Sequence, residues 1–121
     1  MNRNDLEERL INFAICLLEI IKLLPDNKVT NHLSSQLLRS GTSAALNYGE
    51  AQSGESRRDF IHKINIVLKE LRESGICIKL IQRSNPNESD EKIKTALKEN
   101  NELISIFVKS IETARKNMAN N

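Results

Sequence analysis

Apolar residues recur at helical spacing through almost the whole chain, in four stretches separated by three short breaks, and no segment shows the strict alternation of a strand. The spacing predicts helices over about residues 5–24, 30–52, 56–83 and 87–116, with a frayed tail at 117–121. Long helices joined by short connections pack against their sequence neighbours. The expected fold is therefore all-α, an antiparallel up-down-up-down four-helix bundle. At 121 residues the chain can bury one core without metals or disulfides, so a single domain over 1–121 is expected.

The breaks have their own chemistry. Pro25-Asp26-Asn27 ends the first helix, because proline cannot continue the hydrogen-bond ladder. Thr30 or Asn31 can cap the second. Ser53-Gly54-Glu55 separates the second from the third, and Ser56 followed by Asp59 resembles a capping box with the shorter acid. Asn85-Pro86-Asn87-Glu88 closes the third helix and opens the fourth, where a first-turn proline is tolerated.

Two of the helices are apolar on more than one side. In the first, Leu6, Leu10, Phe13, Leu17, Ile20 and Leu24 form the main stripe, and Ile11, Ile15 and Leu18 form a second. In a domain this small, a helix apolar on two sides predicts contact with another subunit. In the third, Phe60, Ile64, Val67, Leu71 and Ile78 form the core stripe, widened by Leu68, while Ile66, Ile76, Cys77 and Leu80 lie off it. The fourth turns Ile93, Leu97, Ile104, Phe107, Val108, Ile111 and Ala114 inward. Asn100 shares that stripe and is expected to be partly exposed or part of a polar network.

The second helix carries an unusually small apolar face of Leu37, Gly41, Ala44, Tyr48 and Ala51. Each helical glycine costs about 1 kcal/mol relative to alanine, so Gly41 and Gly49 predict close packing. A separate polar ladder runs through Gln36, Arg39, Ser43, Asn47 and Glu50. It is either solvated or a buried or subunit-bridging network, and the residues alone favour the first.

No apolar run approaches the ~18 residues of a membrane span, and no signal peptide is evident, so a cytoplasmic protein without a membrane partner is expected. Cys16 and Cys77 sit in apolar helical patterns and read as reduced core thiols. The two histidines, His32 and His62, have no metal-ligand spacing, and Asp59-x-x-His62 lacks the further carboxylates of a di-iron site. Neither a phosphate-binding glycine loop nor a hydrolytic triad motif occurs. The expectation is a protein that is not an enzyme, with no cofactor and no metal.

Charge supplies the remaining signal. The net charge is only +2, yet residues 56–83 hold seven basic against three acidic side chains, while residues 1–26 hold three against five. Arg58, Asn65, Lys69, Arg72, Lys79 and Arg83 fall within roughly 80° of one another on the third helix, largely opposite its core stripe. Such a row can follow a phosphate backbone over about 35 Å, each contact releasing condensed counterions. It can equally be an ordinary solvated face, with Lys69 and Glu73 as an i,i+4 pair. With no Trp, one Tyr and three Phe, stacking on single-stranded bases is not expected.

Arg39-Ser-Gly-Thr-Ser43, Asn47, Glu50-Ala51, Glu55-Ser-Arg-x-Asp59-Phe-Ile-His-Lys63 and Leu68-Lys-Glu-x-x-Glu73 together resemble the four-helix-bundle family named after the 23S rRNA intervening sequence. That family in turn resembles the accessory variability determinant proteins of diversity-generating retroelements. The resemblance is dense over the second and third helices. It implies a bacterial, cytoplasmic bundle that assembles as a ring, commonly a homopentamer, with a basic surface associated with nucleic acid. Arg39, Ser43, Asn47, Glu50, Asp59, Lys63, Lys69, Glu70 and Glu73 match its motif. Several carry opposite charges that can pair, which favours structural and interface roles over ligand binding. The chain departs after Glu73, where Ile76-Cys77 replaces a common aromatic pair.

Two functions are consistent with these residues. The first is binding of structured RNA or DNA through Arg58, Lys69, Arg72, Lys79 and Arg83. The alternative is an adaptor that docks a protein such as a reverse transcriptase or a ribosome-associated factor.

Overall fold

The computed structural model describes residues 1–53, 56–85 and 90–119, and they form four α-helices: α1 (Arg3–Leu23), α2 (Lys28–Ala51), α3 (Arg57–Ser84) and α4 (Asp90–Ala119). No strand occurs among the described residues, and none of these helices is long and apolar enough to cross a membrane.

Local chemistry moves several boundaries from where periodicity puts them. Asn2 caps α1, its side chain accepting from the Asp5 N–H while the Asp5 carboxylate accepts from the Asn2 N–H, both at 3.0 Å. The helix therefore begins at Arg3 rather than Asp5. It ends at Leu23, one residue early, because Leu24 precedes a proline and adopts φ −83, ψ 151. Asn27, not Thr30 or Asn31, caps α2, its side chain accepting from the Thr30 N–H at 2.9 Å. Thr30 is buried one turn inside the helix. Asn27→Ala is expected to cost about 1 kcal/mol in urea unfolding, and Thr30→Ser, which leaves the cap in place, less.

Ser56 caps α3 as its spacing predicts, Oγ accepting from the Asp59 N–H at 3.1 Å. Gly54 and Glu55 of the preceding break lie outside the described residues, as do Pro86, Asn87 and the expected start of the fourth helix. α3 extends one residue past Arg83, to Ser84, whose Oγ donates to the Leu80 carbonyl. α4 continues to Ala119, so the expected fraying at 117–119 is replaced by helix; the expectation for 120–121 lies outside the described residues.

The helices pack as sequence neighbours, α1 on α2, α2 on α3 and α3 on α4, and α1 closes against α4. Leu10, Phe13, Leu17 and Ile20 of α1 meet Leu37, Ala44 and Tyr48 of α2, Ile64, Leu71 and Ile78 of α3, and Ile93, Leu103 and Phe107 of α4 in one cluster. Tyr48 and Phe107 cross the core edge to face, their ring centroids 5.6 Å apart at 70°. Leu6 and Leu24, at the ends of the α1 stripe, are only partly buried against it.

The two glycines of α2 differ. A Cβ on Gly41 would lie 2.5 Å from Leu17 Cδ1, so α1 approaches closely there. A Cβ on Gly49 would meet nothing within 4 Å among the described residues, which corrects the expectation of close packing. Gly75 of α3 makes the other close approach, since a Cβ there would lie 2.6 Å from Asn100 Nδ2. That space admits Asn100 to the core at 1% exposure, which corrects the expectation of a partly exposed residue. Its Oδ1 has no hydrogen-bond partner among the described residues.

Candidate nucleic-acid interface

α3 is the helix on which every candidate surface converges, because its core stripe leaves a wide outer arc. On that arc Arg58, Lys69, Arg72, Lys79 and Arg83 are all exposed, and none takes part in an ion pair among the described residues.

Two acids of α3, Glu70 and Glu73, are occupied instead. Arg39 of α2 reaches across the seam, Nη1 donating to Glu70 Oε2 at 3.0 Å and Nη2 donating to Glu73. Further along the seam Ser40 Oγ and Ser74 Oγ share a buried hydrogen bond of 2.8 Å, and Lys63 donates to Glu50. Ser43 and Asn47 stay within α2, where Asn47 Nδ2 donates to the Ser43 carbonyl at 2.9 Å and to its Oγ at 3.0 Å. Asp59 is exposed in the first turn of α3. Of the polar ladder of α2, Arg39 and Glu50 thus form a seam to α3 within one chain, with Glu70 its most buried carboxylate at 7% side-chain exposure.

The five basic residues do not share one environment. Lys69 and Arg72 rim a groove of about 670 Å³ between α2 and α3, with His32, Leu33 and Gln36 on one wall and Ile76, Cys77 and Leu80 on the other. A second hollow, lined by Val29, Leu33, Leu80 and Ser84, extends this groove toward the start of α2. Ile76 is 58% and Leu80 48% exposed, so the outer arc of α3 mixes apolar with basic side chains. Arg58 instead stands beside Arg115, Ile61 and Met118 at a separate hollow. Lys79 and Arg83 line neither.

Sequence reasoning places Ile76, Cys77 and Leu80 off the core stripe but does not pair them with Leu33. That residue's place on α2 is a helical position like many others, and only its neighbour across the seam makes it part of a groove. The Ser40–Ser74 bond also escapes a reading of the sequence, although Ser40 lies one turn beyond Leu37 on an inward arc. Both cysteines are free and half-buried. Burial, then the charges of Glu19 and Glu73 respectively, pushes the Cys16 and Cys77 thiols up.

Residues 3–109 match the family model described as 23S rRNA-intervening sequence protein. No curated protein matches the chain. A solved structure, described as a protein of unknown function from the S23 ribosomal protein family of Bacteroides thetaiotaomicron, is 30% identical with a TM-score of 0.82. The match covers 93% of this chain and 99% of that one.

Proposed function

We propose that this chain, which belongs to the 23S rRNA-intervening sequence protein family, is a non-enzymatic, ring-forming cytoplasmic protein that binds structured nucleic acid through the outer face of α3. The observation that carries the reading is the imbalance along that face. Its acids Glu70 and Glu73 are engaged by Arg39, while Arg58, Lys69, Arg72, Lys79 and Arg83 stand exposed without ion-pair partners among the described residues. Uncompensated charges spread along a helix attract phosphate and release its counterions. Lys79 and Arg83 stand clear of the apolar groove and are the simplest phosphate contacts.

The antiparallel up-down course is part of the proposal, and the ion pairs support it. Arg9 of α1 meets Glu99 and Glu102 of α4, whereas Glu19, further along α1, meets Lys92, earlier in α4. Likewise Arg39 meets Glu70 and Glu73, and the later Glu50 meets the earlier Lys63. A ring is supported by the exposed apolar side chains of α1 and α3, which a neighbouring subunit would cover. A non-enzymatic role fits the two exposed histidines and the two thiols, which burial holds away from the thiolate that a nucleophile requires.

The test is fluorescence anisotropy of a labelled structured RNA titrated across a salt series. Lys79→Glu with Arg83→Glu is expected to weaken binding and to lower the slope of log affinity against log salt by about 2, roughly one for each phosphate no longer neutralised. The same pair should leave the mass of the assembly unchanged. Unaltered affinity and slope would overturn the reading. The second reading is an adaptor that docks a protein partner such as a reverse transcriptase or a ribosome-associated factor. It is favoured by one observation, the apolar wall that Ile76 and Leu80 give the groove.

A further inference from the structure

Among the open apolar surfaces of the described residues, two differ in the charge that borders them. One is the outer stripe of α1. Inside the chain that helix uses Leu17 against Gly41, Arg9 against Glu99 and Glu19 against Lys92. Ile11 and Ile15 are left 41% and 47% exposed, with Leu18 half-buried beside them. At 100° per residue Glu7 and Glu8 flank this stripe near its N-terminal end. Both are exposed, and neither is in an ion pair among the described residues. The other surface is the α2–α3 groove, whose apolar wall is Ile76 and Leu80 and whose rim is Lys69 and Arg72.

At the end that carries Glu7 and Glu8 on α1, and Lys69 and Arg72 on α3, the two are complementary in order as well as in sign. On α1 the acids come about two turns before Ile15, and on α3 Lys69 comes about two turns before Ile76. A helix laid along the groove in that register sets acid against base at one end and aliphatic side chains against each other at the other. That is the arrangement by which an amphipathic helix docks in a groove.

We infer that the outer stripe of α1 of one copy packs into the α2–α3 groove of a second copy, with Glu7 and Glu8 facing Lys69 and Arg72. The inference rests on the ring assembly proposed above and names the two surfaces that form it. Such a contact is heterologous: it joins unlike surfaces, so each copy offers one and receives the other, and it closes into a ring where the rotation allows. It covers the α1 stripe and the groove at once. It also divides the basic residues, with Lys69 and Arg72 holding the neighbour and Lys79 and Arg83 left to phosphate.

The experiment is the mass of the assembly by light scattering at fixed protein concentration, with helicity by circular dichroism confirming that each variant folds. Glu7→Lys with Glu8→Lys is expected to reduce the mass to that of a monomer, and so is Lys69→Glu with Arg72→Glu. A chain carrying all four substitutions restores both complementary ends and should regain the wild-type mass. An assembled wild type whose mass neither pair moves overturns the inference and leaves the ring standing. Failure of the fourfold variant to recover also overturns it, because the losses then did not come from these pairs. A monomeric wild type overturns the ring and this interface together. If Lys69→Glu with Arg72→Glu abolishes RNA binding at unchanged mass, the groove belongs to nucleic acid and the inference falls.

Discussion

Phe107→Ala should lower stability by about 3–5 kcal/mol. Phe107 is fully buried, and its ring meets the Tyr48 ring edge to face across the core. The Tyr48 hydroxyl donates to the Arg3 backbone carbonyl at 3.4 Å, so the aromatic pair ties α4 through α2 to the start of α1. Truncation removes the transfer energy of the ring and leaves a cavity that three helices must close by moving together. A domain of this kind has only about 5–15 kcal/mol in total, so roughly a fifth or more of its stability is at stake. Urea unfolding followed by circular dichroism measures the effect, at constant protein concentration because assembly adds to apparent stability. Phe107→Leu keeps most of the volume and should recover most of the loss. A cost below about 1 kcal/mol for Phe107→Ala would mean that the helices collapse round the gap, contrary to a tightly packed core.

Arg39→Ala should be the most damaging change at a polar position. Glu70 is nearly enclosed, and Arg39 spans from it to Glu73 on the outer edge of the seam. Breaking an enclosed pair costs about 3–5 kcal/mol because a buried charge is left alone. An exposed pair is worth about 0–1 kcal/mol. Arg39 is itself half exposed, and water can reach the vacated position, so a cost of about 2 kcal/mol is expected, between these limits. The discriminating comparison is with Glu70→Gln added to Arg39→Ala. If the cost comes from a stranded carboxylate, the double variant should be more stable than Arg39→Ala alone. If it is equally or less stable, the cost lies in lost packing of the arginine stem.

Some of this could be read without coordinates, because it depends only on residues close in sequence. The apolar face of α2, namely Leu37, Gly41, Ala44, Tyr48 and Ala51, is buried at every position. The cap at Ser56 is likewise local, needing only a hydroxyl three residues before the Asp59 N–H. The errors at the ends are also local in origin. Periodicity does not sense a cap, so it leaves Thr30 or Asn31 as the candidate in place of Asn27, and the restraint of Pro25 on Leu24 trims one residue that the apolar pattern would have kept.

The candidate surfaces were less legible. Arg39, Glu70 and Glu73 were recognisable as motif residues, but the chain has sixteen acidic side chains, and sequence cannot say which of them a given arginine reaches. The same limit applied to the glycines. Gly41 and Gly49 are equally costly to helix formation, and only the position of Leu17 makes one of them a close approach. Asn100 is a polar residue on an apolar stripe, and it is buried because a glycine on another helix leaves room for it.

By itself, then, the sequence determined four helices, the main inward stripes of α1, α2 and α3, and the excess of positive charge on the third, since backbone hydrogen bonding and apolar spacing act over a few residues; in α4 it pointed to Leu97, Ile104 and Val108, whereas Ala96 and Leu103 are fully buried. The tertiary structure alone decided that Arg39 and Glu50 of the α2 ladder pair with α3, that Lys69 and Arg72 rim an apolar groove while Lys79 and Arg83 stand clear of it, and that Ile11 and Ile15 remain uncovered. Those outcomes depend on which arcs of different helices come together, and helical period carries no information about the rotation of one helix against another.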